Sequence, residues 1–138
     1  MRNQAEQADK ASLPTLNQDL LAQYSSRKSG LLERLIEAYL EEAPRFLKNI
    51  RQSNQGAELA DLKLNSHALK SCSYNLGAAK LSTICQRLEN AASNRDGVEI
   101  EAMMAEIGPE FFEVEEALKT ELLQIKRQAA AAASAARN

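Results

Sequence analysis

The 138-residue sequence contains a single histidine, His67, and the residue types around it suit an anionic group. An imidazole can serve as an acid–base group, a metal ligand or a nucleophile. Lys63 stands four residues before it and Lys70 three after, spacings that share one face of a helix. Both ammonium groups then come within reach of a doubly negative phosphoryl group carried on the ring. Two neighbouring cations are also expected to disfavour the protonated imidazole, leaving a ring nitrogen with its lone pair. Ser71, one turn further on, is small enough to let a bulky anion approach. A metal site would need converging ligands, and the acidic neighbours Glu58 and Asp61 lie one to three turns away along the same helix, so no metal residue is assigned. Cys72 and Cys85 form no CxxC pair and cannot complete a zinc set with one histidine. They read as small core residues in a reducing cytoplasm.

The helix that must position these groups runs from about Leu59 to Leu76. At about 100° per residue, with Leu62 set at zero, Leu69, Ser73 and Leu76 fall within roughly 40°, Leu59 near 60° and Cys72 near 80°. This is the buried stripe. His67 falls roughly 140° away, with Lys63 and Lys70 near 100° and 80°, Tyr74 near 120° and Ser71 near 180°. The histidine is therefore expected on the open face. Leu64, near 160°, is apolar where solvent favours polar residues. With Ala60, Ala68 and Ala78 it is expected to form a shallow docking patch, to which Tyr74 adds.

The surrounding elements are helical as well. Leu32, Leu35, Ile36, Tyr39, Ala43, Phe46, Leu47 and Ile50 recur at intervals of three and four, a phase that passes through Pro44 and predicts one kinked helix. Gly77 stands just beyond the histidine helix, where a left-handed residue is needed. A third helix follows through Leu81, Ile84, Cys85, Leu88 and Ala92, and a last one from Ile100 to Ile125, bent near Gly108 and Pro109. Leu13 to Tyr24 predicts a short leading helix, residues 1–12 a disordered leader, and residues 128–138 an alanine-rich tail. The expected fold is all-α: an antiparallel up-down-up-down four-helix bundle over residues 13–127, with a short extra N-terminal helix.

Composition narrows the function classes. Aromatics make up 4% of residues, which disfavours a β-sandwich. The net charge of -2, with both signs interspersed, argues against a nucleic-acid binder. No apolar run approaches the roughly 20 residues of a membrane helix. The chain reads as a cytoplasmic monomer without nucleic-acid or membrane partners.

The run SHALKSCSYNLGAAKLSTICQRLEN, Ser66 to Asn90, resembles the signature of the histidine-containing phosphotransfer family. There the phosphorylated histidine is followed by lysine at the third position and a small residue at the fourth. A Leu-Gly pair closes the helix, and the next helix carries Leu, Cys and Leu-Glu. The matching positions here are His67, Lys70, Ser71, Leu76, Gly77, Leu81, Cys85, Leu88 and Glu89. The stretch Glu37 to Gln52, with Pro44, resembles the family's preceding helix. The resemblance spans roughly Leu13 to Ile125 and departs at Ser71, where glycine is usual. It implies a four-helix bundle that relays phosphoryl groups between His67 and the aspartate of response-regulator receiver domains, with Lys70 stabilising the phosphate. A hybrid sensor kinase is a further candidate partner. No cofactor is expected in the chain itself; Mg²⁺ would come from the receiver. There is no GxxxxGK[ST] phosphate loop, and Ala68 replaces the acidic residue expected after the histidine of an autokinase. The competing reading is a helical adaptor that binds a signalling partner without being phosphorylated.

Overall fold

A computed structural model describes residues 13–27 and 30–137; the leader expected over residues 1–12 lies outside them. The described residues form five helices: α1 Gln18–Arg27, α2 Leu31–Gln55, α3 Leu59–Asn75, α4 Ala79–Ser93 and α5 Gly97–Arg137. Three-residue connections join α2 to α3, α3 to α4 and α4 to α5, too short for anything but antiparallel neighbours. Helix α3 packs between α2 and α4, α4 against α5, and α5 returns to α2, so the four long helices close into an up-down-up-down bundle. Helix α1 leans on α2.

The apolar periods account for the core. Leu32, Ile36, Tyr39, Ala43, Leu47 and Ile50 of α2 are buried, and this register and the helix itself continue unbroken through Pro44. Leu81, Ile84, Cys85 and Leu88 of α4 meet Met103, Ile107, Val114 and Leu118 of α5 in the same core. Helix α5 extends through the alanine-rich segment, whose residues are exposed.

The same turn closes three of the helices. At the end of α3 the amide of Ala78 donates to the Ser73 carbonyl and that of Gly77 to the Tyr74 carbonyl, which satisfies the last carbonyls of the helix. This pattern needs a left-handed residue, and Gly77 supplies it at φ +76°. The equivalent positions after α2 and α4 are held by Ala57 at φ 54° and Arg95 at φ 53°, with no glycine at either. Gly77 has a further task. Its carbonyl accepts the amide of Asn17 at 2.9 Å, and a Cβ there would stand 2.8 Å from the Asn17 Cβ. Together with the Tyr24 hydroxyl, which donates to the Asn75 carbonyl, this seats α1 on the closed end of the α3–α4 hairpin.

Candidate functional site

Helix α3 turns two of its three serines inward. Leu62, Ser66, Leu69 and Ser73 are its buried positions. The Ser66 hydroxyl donates back to the Leu62 carbonyl at 2.6 Å, and the Ser73 hydroxyl is bonded to the Tyr39 hydroxyl at 2.9 Å. Both serines thus satisfy their hydrogen bonds without water while occupying little space. Tyr39, in turn, is pushed far above its ordinary pKa by burial, so its hydroxyl stays protonated. With that stripe locked inside, His67 projects from the opposite side, its side chain 58% exposed.

The ring is not free to spin. Its Nδ1 lies 3.1 Å from Oε1 of Glu89, which reaches across from α4. The other oxygen, Oε2, accepts from the Lys70 ammonium at 2.7 Å, and Lys70 also donates to Oε1 of Gln86 at 2.8 Å. Lys70 and Glu89 are largely sheltered, at 20% and 15% side-chain exposure. Burial acts to raise the Glu89 carboxyl, but the hydrogen bonds and charges of Lys70 and His67 outweigh it and hold the group below its ordinary value. Glu89 is therefore an anion at neutral pH and has no proton to give. Nδ1 must be the donor, and in the neutral ring Nε2 carries the free lone pair.

This geometry adds a carboxylate to the two lysines read from the sequence. The charged group in contact with the imidazole is a carboxylate, and Lys70 is turned toward α4 to serve it, while Lys63 is exposed. Glu89 and Gln86, absent from the site residues read from the sequence, are the groups that orient it. Of the expected docking patch, Leu64 is 67% exposed and Tyr74 68%, Ala60 and Ser71 are exposed, and Ala68 is half-buried. Ala78 does not belong there. It is completely buried, because it follows the left-handed Gly77 and starts the next helix rather than continuing the face of α3. Cys85 is buried and Cys72 partly so, their thiols pushed up by burial to about 12 and about 11, values of unreactive core thiols. Among the described residues no group of three or more His, Cys, Asp or Glu could hold a metal ion, and no helix is long and apolar enough to cross a membrane.

A lone exposed histidine, fixed at Nδ1 and open at Nε2 in the middle of a bundle helix, can be compared with known proteins. The family model described as the Hpt domain matches residues 34–133, which is more than half of the chain. The chain belongs to the Hpt domain family. Histidine phosphotransfer in a phosphorelay is its class of function. Solved structures agree on the fold. Histidine-containing phosphotransfer protein B (HptB) of Pseudomonas aeruginosa PAO1 is 23% identical with a TM-score of 0.77, over 82% of this chain and 98% of its own. The HPT domain of a sensor hybrid histidine kinase from Shewanella is 27% identical with a TM-score of 0.69, over 80% and 95%. A rice protein described as a histidine-containing phosphotransfer protein, at 16% identity, has a TM-score of 0.71 over 91% of each chain. No curated protein matches the sequence. Within the Hpt match lie His67 and all three residues of its polar network, Lys70, Gln86 and Glu89.

Proposed function

We propose that Nε2 of His67 is the phosphoryl acceptor and donor of this Hpt domain, exchanging the group with the aspartate of a response-regulator receiver domain. The observation that carries the proposal is the contact between Nδ1 and Glu89, which leaves Nε2 as the nucleophilic atom on an exposed ring. In the forward direction the Nε2 lone pair attacks the phosphorus of the aspartyl phosphate roughly in line. The N–P bond forms, the bond from phosphorus to the aspartate oxygen breaks, and that oxygen leaves as carboxylate. With the proton retained on Nδ1 the ring becomes cationic as the bond forms, and the Glu89 carboxylate faces that developing charge. The reverse step uses the same arrangement, because a protonated ring is the better leaving group. Lys70, one helical turn along, adds positive charge beside the phosphoryl oxygens, and the Ser71 hydroxyl can donate to one of them. Lys63 is a second, looser cation. Mg²⁺ held by the receiver's own carboxylates would supply the remaining charge neutralisation.

The receiver would dock on the open face of α3 around Leu64, Ala60 and Ala68, the domain acting as a monomer in the cytoplasm; a hybrid sensor kinase is a second source of receivers. Incubation with phosphorylated receiver, followed by intact-mass measurement, should show one phosphoryl adduct that is lost in acid and survives base. His67→Gln should fold normally and acquire none. An adduct that persists in His67→Gln, or that maps to a serine or tyrosine, overturns the assignment.

A further inference from the structure

Between α3 and α4, starting at the Lys70–Gln86 contact and running away from His67, lies an open groove of about 500 Å³. Its walls are Ser71, Tyr74 and Asn75 on α3 and Ala79, Ser82 and Thr83 on α4. Tyr74 is seven residues beyond His67, about 20° round the helix and roughly 10 Å along it, so the exposed ring stands almost directly in line with the imidazole.

On the α4 wall and at the Lys70 end the polar groups of the groove are already engaged, while the Ser71 and Tyr74 hydroxyls and the Asn75 carboxamide stand at its exposed α3 rim. The Ser82 hydroxyl donates to the Lys70 carbonyl, the Thr83 hydroxyl to the Ala79 carbonyl, and the Gln86 amide to Asn90, while the Lys70 charge is matched by Glu89. An incoming group would therefore meet mainly carbon: the face of Tyr74, the Ala79 and Thr83 methyl groups, and the Cβ atoms of the serines. Such a surface favours an apolar occupant over an ionic one.

The position says who supplies it. A specific interface covers about 800 Å² on each partner, a patch with a radius of roughly 16 Å. An interface of that size centred on Nε2 of His67 covers Tyr74, roughly 10 Å away, and the groove beside it. We infer that the α3–α4 groove is a specificity pocket, in which an apolar side chain from the surface around the receiver's phosphorylated aspartate packs against Tyr74. The inference rests on the assignment of His67 as acceptor, and it adds a named anchor on the α4 side of the histidine.

The test compares two phosphoryl donors: the receiver that labels the wild-type chain fastest in a profile of the source organism's receivers, and phosphoramidate, which is too small to reach the groove and His67 together. Tyr74→Ala should raise KM for the receiver about tenfold, the loss expected of a central interface aromatic, with little change in the rate at saturation. The ratio of receiver-driven to phosphoramidate-driven labelling should fall by the same factor. Thr83→Gln, which fills the groove with a neutral amide, should lower the ratio as well. Unchanged ratios in both variants overturn the inference, also where the variants alter self-association instead, and leave His67 as acceptor. If neither donor labels the wild-type chain, the acceptor assignment fails and the pocket with it.

Discussion

Replacing Glu89 by glutamine changes one oxygen to an amino group and, on the geometry above, should move a proton across the imidazole. The two carboxylate oxygens serve different donors, Oε1 the Nδ1–H of His67 and Oε2 the ammonium of Lys70. A glutamine has one oxygen for both. The ammonium cannot face an amide NH₂, so the oxygen turns to Lys70 and the NH₂ to Nδ1. Nδ1 then accepts, and the single proton of the neutral ring moves to Nε2, the atom proposed to attack. A hydrogen bond to a charged group is worth about 1.5 kcal/mol at the low end, appropriate for a ring as exposed as this one. The competing tautomer gains a further ~0.5 kcal/mol from its new amide contact. A swing of about 2 kcal/mol corresponds to a roughly thirtyfold fall in the reactive tautomer. Single-turnover transfer from a saturating phosphorylated receiver should slow by that factor, and long-range ¹H–¹⁵N correlations of the ring should show the proton moving from Nδ1 to Nε2. A variant that transfers as fast as wild type, or keeps its proton on Nδ1, refutes the reasoning.

Lys70→Ala should slow transfer about tenfold without abolishing it, since an open site is worth less than a buried oxyanion donor. The same change leaves the sheltered Glu89 without its cation and should cost about 1–3 kcal/mol in a urea titration. Gly77→Ala combines a left-handed alanine with a Cβ pressed on Asn17 and should destabilise by about 2–3 kcal/mol, again read from denaturant unfolding; no loss would mean that α1 is not seated on this turn. For pH, the Glu89 carboxyl is held below its ordinary value in the folded state, so the unfolded chain takes up the proton first on acidification. Its contribution is complete above the ordinary carboxylate value and disappears as pH falls through the folded value. Wild type should lose stability more steeply than Glu89→Gln across that window.

Much of this arrangement is legible in the order of residues, because burial along a helix follows a local period. The inward stripe of α3 and the outward direction of His67 come from angles within one helix, and the closed bundle from four such stripes joined by short turns. Ser66 escapes that reading, since it looks polar in sequence but satisfies its hydroxyl on its own helix. Glu89 escapes for a different reason: it lies 22 residues from His67, and no periodicity relates two helices. The Leu-Glu pair that ends the family-like run, with Gln86 one turn earlier, was the available signal. Ala78 was misplaced because a helical angle has no meaning beyond the left-handed residue that ends the helix. The turns hold a similar lesson. Glycine marks the left-handed position after α3, yet Ala57 and Arg95 take it after α2 and α4, where the carbonyls to be capped decide the conformation at a cost of about 1 kcal/mol each.

The length of α5 has a thermal consequence. Ile125 is the last of its residues packed against the core, and from Lys126 to Ala136 every side chain is exposed, a rod of about 17 Å held by backbone bonds, alanine propensity and one exposed ion pair between Lys126 and Glu37. Such a segment has no share in the cooperative melting of the bundle. It loses helix by degrees, so warming should bleed helical ellipticity along a sloping baseline well before the main transition, and its amide protons should exchange with solvent while those of α3 are still locked.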